Sequence, residues 1–157
     1  MKKLLTCLIL TLTILTSGSM KFEHKDAPVV TFDEPELTIY EIAEAITGCP
    51  AELLVGFAFA ESSNGRNLNH SNPSDRGWFG MHETKSYHEE RARLYGEYNA
   101  DCPLDSAILT GKLFMTNLKL LGNVNDAICA HNQGPTGVKR DGRREWYLQR
   151  VLHPVII

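Results

Sequence analysis

Glu61 is the first residue in this chain whose type and setting suggest chemistry. It stands near the end of the segment AELLVGFAFAES, residues 51–62, with Leu54, Phe57 and Phe59 before it and Ser63-Asn64-Gly65 after it. Two effects are expected to disfavour its charged form there. Burial among apolar side chains removes water from the carboxylate, and the end of a helix carries partial negative charge. A carboxyl group that keeps its proton near neutral pH acts as a general acid, and cleavage of a glycosidic bond needs such an acid at the leaving oxygen. Glu83 and Asp75 are further carboxylates downstream of it. A loop Asp such as Asp75 commonly caps a turn.

Other side chains could complete a site. Trp78 and Phe79 lie in the segment GWFGMHE, and we expect one to stack on a sugar ring and the other to anchor the loop. Met81 is expected in a cleft wall or the core. Asn132 could bond a ligand or cap backbone, and Tyr147 could bond a polar partner or pack in the core. Lys139, Arg140, Arg143 and Arg144 cluster near the end of the sequence, a pattern that usually marks a solvated turn and could also touch an anionic polymer. The six histidines predict no metal site: His88-Glu89-Glu90 lacks the second His that a zinc-binding helix needs at i+4.

These residues must be positioned by helices. Thr38 and Glu41 have capping-box spacing, Leu37 and Ile42 have staple spacing, and Gly48 closes this first helix. Pro50 opens a second, the apolar segment that leads to Glu61, expected to be buried on all its faces. A loop rich in Asn, Ser and Gly follows to about residue 77. Residues 84–98 read as a weakly amphipathic helix. Asp105 to Leu121 is a strong one, with Leu104, Ala107, Ile108, Gly111, Phe114, Leu118 and Leu121 on one stripe. Val124, Ala127, Ile128 and His131 mark the inner face of another, which Gly134-Pro135 is expected to end. Residues 144–152 form the last. No alternating segment predicts a strand, so the expected fold class is all-α.

Bulk properties narrow the setting. The chain has 157 residues and a formal net charge of −3, which gives no field that points to nucleic acid. Lys2 and Lys3, an apolar run from Leu4 to Thr16 and small residues Ser17-Gly18-Ser19 read as a secretory signal over residues 1–19. Residues 20–36 read as a polar lead-in with Pro28 and Pro35, and 37–157 as one domain. Cys7 falls within the signal. Cys49, Cys102 and Cys129 would then meet an oxidising compartment, where at most one bridge within the chain can form. The pairing is open, and Cys129, mid-helix, reads as a buried thiol.

In order along the chain, several segments resemble the lytic transglycosylase family, of the soluble-lytic-transglycosylase type, within the lysozyme-like superfamily. Ala60-Glu61-Ser62-Ser63 is similar to its Glu-Ser motif. Phe79-Gly80-Met81-His82-Glu83 is similar to its Gly-Leu-Met-Gln segment, and Ile108-x-x-Gly111 to a later helix motif. Ala130-His131-Asn132-Gln133-Gly134-Pro135 is similar to Ala-Tyr-Asn-x-Gly-Pro, and Tyr147 with Val151-Leu152 to the closing element. The resemblance spans residues 38–152. It implies a helical, lysozyme-like fold of the goose-type/transglycosylase kind with a cleft for a glycan strand. It implies cleavage between N-acetylmuramic acid and N-acetylglucosamine of peptidoglycan, by one Glu acting as acid and then as base. The muramyl 6-hydroxyl attacks internally, and the product carries a 1,6-anhydro end. Carried over, Glu61 is catalytic, and Ser62, Met81, His82, Glu83, His131, Asn132 and Tyr147 bind substrate. No cofactor is implied. A monomer is expected, exported to the periplasm or cell exterior, and by analogy a partner of secretion or appendage machinery.

The sequence departs from the family pattern at three positions. The motif Gln is replaced by Glu83 or, with a shift of one, by His82. His131 replaces a Tyr, keeping a ring and a polar tip, and reads equally as a sugar contact or a satisfied core histidine. Ala107 replaces an Asn. The departures leave two alternatives: a hydrolytic lysozyme using Glu61 with Glu83 or Asp75, and an inactive glycan-binding module.

Overall fold

The computed structural model describes residues 37–154. The expected signal, the lead-in and Cys7 lie outside the described residues. Helix α1, Ile39–Thr47, starts where its cap requires: Thr38 Oγ1 accepts from the Glu41 N–H, and the Glu41 carboxylate accepts from the Thr38 N–H at 2.7 Å. The Thr38 N–H and hydroxyl, both donating to that carboxylate, hold the Glu41 carboxyl below its ordinary value. Gly48 ends the helix in the left-handed region.

Helix α2 is Ala51–Ser62. The expectation of burial on every face needs correction: Glu52 is exposed, and Leu53, Val55 and Phe59 are half-buried. Its inner face carries Leu54, Phe57, Ala58 and Ala60. A Cβ at Gly56 would overlap the Val151 carbonyl, so glycine there lets another helix approach closely. After Ser62 the chain turns through two left-handed residues, Ser63 and Asn64, whose N–H groups bond back to Phe59 (3.1 Å) and Ala58 (3.0 Å).

The following loop contains an antiparallel ribbon that no periodicity announced. Strands β1, Asp75–Arg76, and β2, Met81–His82, pair Asp75 with His82 and Arg76 with Met81. Two residues per strand are too few to show alternation in sequence. Helix α3, Lys85–Tyr95, buries no residue, as its weak amphipathicity predicts.

Helix α4, Pro103–Leu121, begins two residues before the expected start, with Pro103 in its first turn. Its buried face holds Ala107, Gly111 and Phe114 of the expected stripe, and adds Ser106, Leu109, Thr110 and Asn117. Leu104, Ile108, Leu118 and Leu121 are only half-buried. A Cβ at Gly111 would run into Thr47, so that glycine sets the approach of α1. Helix α5, Val124–Asp141, is capped by Asn123 and breaks at Gly134, where φ is 71° and ψ is 157°. The break falls where Gly134-Pro135 predicts an end, but the helix resumes to Asp141. Helix α6 is Glu145–Leu152 and buries Tyr147, Leu148 and Val151.

α4 packs against α1 and α5, and α2 packs against α6. The architecture is mostly helical, consistent with the all-α expectation. Among the described residues no helix is long and apolar enough to cross a membrane. Cys49, Cys102 and Cys129 are free thiols. Cys129 lies buried mid-helix, and burial raises its thiol above the ordinary value.

Candidate active site

α2 delivers Glu61 to a cleft of about 600 Å³. The ribbon forms one side of the cleft through Asp75, Met81 and His82, and the α5 break forms another through His131, Asn132 and Gly134. Two features fix the Glu61 carboxylate. Tyr147 donates from its hydroxyl to Oε1 at 2.6 Å. Tyr147 is 1% exposed. Burial and the neighbouring Glu61 charge push its phenol well above the ordinary value, so it stays a donor. On the other side, Gly80 has φ 58°, and a Cβ built there would stand 2.6 Å from Oε2. Glycine at this turn therefore serves both the left-handed backbone and the room Glu61 occupies. One guanidinium further secures the end of α2: Arg150 donates to the Ala60 carbonyl.

Ser62 does not face the cleft. It is 2% exposed, with Oγ 2.8 Å from the Trp78 carbonyl, 3.2 Å from the Ala58 carbonyl, and accepting from the Gly65 N–H at 2.8 Å. It ties the loop to the end of α2, which corrects the expectation that it contacts substrate. Tyr147 likewise stands behind Glu61 rather than open to a ligand.

Glu83 is the larger correction. Its side chain is 12% exposed and is held by three partners on its own side of the ribbon. Tyr98 donates to Oε1 at 2.7 Å, Arg91 donates to Oε1 at 3.0 Å, and His88 Nδ1 lies 2.8 Å from Oε2. Burial, and then the bond to Glu83, push the Tyr98 phenol up to about 12. Glu83 does not line the cleft that holds Glu61.

Asp75 does line it. Its Oδ1 lies 2.8 Å from His82 Nδ1, a contact that follows directly from their pairing across the ribbon. The same Nδ1 also lies 3.1 Å from Asn72 Nδ2. His131 also lines the cleft, with Nε2 3.0 Å from the Phe79 carbonyl and its ring tilted over Phe57 at 4.8 Å. It combines the two readings open to it: bonded to the core on one edge, facing the cleft on the other. Asn132 lines the cleft and accepts from Arg144 at 2.8 Å. Met81, 1% exposed, is both core and cleft wall.

Neither Trp78 nor Phe79 reaches the cleft. Phe79 is fully buried, edge-on to Tyr40, and Trp78 packs beside Gly65 against the core. Both anchor the loop. Tyr87, Leu94, Asn117 and Leu120 line the cleft and were not singled out from sequence. The one signal for Asn117 was its position three residues after Phe114, on the stripe that packs inward. Of the basic cluster, Arg140 pairs with Asp141 and Arg143 with Asp126.

No protein-family model, curated protein or solved structure matches the chain.

The cleft itself offers defined chemistry. One carboxylate has a committed donor on Oε1 and its other oxygen beside a bare glycine. A second carboxylate, Asp75, is bonded to a histidine. Among the described residues no three His, Cys, Asp or Glu side chains are placed to share a metal ion.

Proposed function

We propose that this protein is an exported lytic transglycosylase, with a lysozyme-like fold, that cleaves the β-1,4 bond from N-acetylmuramic acid to N-acetylglucosamine in peptidoglycan. One observation carries this reading: the carboxylate of Glu61 faces a cleft with Oε1 bonded to buried Tyr147 and Oε2 cleared by Gly80. In the protonated state Glu61 gives its proton to the leaving glycosidic oxygen as the bond to the anomeric carbon breaks. The carboxylate left behind is stabilised by the Tyr147 hydroxyl, since a hydrogen bond to a charged acceptor is the stronger kind. The sugar's acetamido group stabilises the cation. Glu61 then takes the proton of the muramyl 6-hydroxyl as that oxygen bonds to the anomeric carbon, which closes the 1,6-anhydro ring and regenerates the acid. No step uses a metal or cofactor. The working place is the cell envelope, where the expected signal would deliver the chain and where a secretion or appendage machine needs the wall opened.

A second reading is hydrolysis, with Asp75 positioning water. It is favoured by the presence of Asp75 in the same cleft as Glu61; Glu83 has no part in it. Digestion of purified sacculi tests both. Glu61→Gln is expected to abolish release of soluble fragments, and undiminished release would sink either reading. Mass spectrometry of the wild-type products is expected to show anhydro ends; reducing ends would establish hydrolysis instead.

A further inference from the structure

Asn117 is a cleft side chain that the reaction above does not use. It lies on the inner face of α4, 9% exposed, and its open remainder faces the cleft that holds Glu61. Among the described residues its amide has no hydrogen-bond partner, and its polar atoms are not sealed in. Side-chain amides at that depth are nearly always bonded to protein or ordered water. An amide with no protein partner that opens on a cleft is placed to bond a ligand. The same wall carries Leu113 and Leu120 of α4, with Leu94 at the end of α3. Leu94 and Leu120 are both more than half exposed.

We propose that Asn117 binds the acetamido group of an N-acetylated sugar in this cleft. A primary amide donates and accepts, and an acetamido group presents one N–H, one carbonyl oxygen and a methyl group. Asn117 matches the first two, and the leucines offer the methyl an apolar surface. A hydroxyl would satisfy the amide but would leave the leucines without a counterpart. The inference rests on the proposal that a peptidoglycan strand occupies the cleft, since each sugar of that strand carries the group. It makes Asn117 a determinant of specificity: a site built to bond a polar group discriminates against a ligand that lacks it.

The test is titration calorimetry on the full chain carrying Glu61→Gln, which prevents turnover. The probes are an N-acetylglucosamine hexamer and its fully de-N-acetylated counterpart. Adding Asn117→Leu is expected to weaken binding of the N-acetylated hexamer about tenfold, as for two lost hydrogen bonds, and to leave the other within about twofold. Leu keeps the volume and removes an amide with no protein partner, so Tm is expected to hold or rise by about 3 °C. A fall in Tm with equal loss for both hexamers would assign Asn117 a structural role and overturn the proposal. Unchanged affinity for the N-acetylated hexamer, or no binding of it by the parent chain, would also overturn it. In those cases sacculus digestion that depends on Glu61 would leave the catalytic reading standing. Digestion that survives Glu61→Gln would remove that reading whatever the hexamers show.

Discussion

Tyr147 of α6 and Glu61 of α2 are 86 residues apart in sequence and 2.6 Å apart in space, hydroxyl to Oε1. The bond is strongest when Glu61 is ionised, the state left after it has given up its proton. Tyr147→Phe removes that stabilisation and keeps the ring. Loss of a bond to a charged group, about 1.5–3 kcal/mol, is expected to lower kcat roughly 10- to 100-fold with KM within about twofold. Initial rates on soluble glycan strands measure both. A change confined to KM would mean that Tyr147 acts on substrate binding instead.

Gly80 sets the other side of the carboxylate. Gly80→Ala places a Cβ 2.6 Å from Oε2 in a backbone at φ 58°. The left-handed conformation alone costs an L-residue about 1–2 kcal/mol. Glu61 must also move, so sacculus digestion is expected to fall at least about tenfold, a larger effect than the accompanying loss of a few degrees in Tm. Full activity in this variant would show that Glu61 works from another position.

Glu83 and Asp75 should separate cleanly. Glu83→Gln breaks a nearly buried cluster with Arg91, His88 and Tyr98, and is expected to cost about 1–3 kcal/mol in chemical denaturation while leaving the product ends unchanged. Asp75→Asn touches a more open side chain with one bonded histidine, and is expected to retain folding and anhydro products. Abolished activity in Asp75→Asn, with reducing ends from the wild type, would favour hydrolysis.

Two buried groups contribute to stability in the alkaline range. Burial, and then the nearby Glu44 charge, push the Cys49 thiol from 9.0 up to about 12, and burial with Glu61 pushes Tyr147 well above 10.0. In each case the unfolded chain loses its proton first as pH rises. It then binds fewer protons than the folded state, and stability falls. This stabilisation is fully present below pH 9 and declines above it, by at most about 1.4 kcal/mol per pH unit per group. Tm measured by circular dichroism from pH 8 to 11 is expected to fall less steeply in Cys49→Ala than in the wild type. Parallel curves would assign the decline to other groups.

Features that depend on neighbours within one helical turn were legible in the sequence. The Thr38–Glu41 box and Gly48 in the left-handed region use contacts across three or four residues, and the helix they bound runs Ile39–Thr47; Pro103 in a first turn and Asn123 as a cap follow the same local logic in the structure. The break at Gly134 was also legible, though the helical turns after it were not. Glu61 could be singled out because an apolar run ends on it. What its neighbours do could not be read in the same way.

His82 and Glu83 are adjacent, and nothing local in the sequence says which of them faces the cleft. One faces the cleft beside Asp75; the other turns to Tyr98, Arg91 and His88. That choice depends on a ribbon too short to leave a pattern and on a tyrosine 15 residues away. Ser62 turned inward because the Trp78 carbonyl lies within 2.8 Å, a distance the chain acquires only when the loop folds back. The sequence by itself determined the helices and the position of Glu61 at the end of one, because caps and periodicity act locally. Only the tertiary structure decided which oxygen of Glu61 is held and which is open, because Tyr147 and Gly80 reach it across 86 and 19 positions through packing that no local pattern encodes.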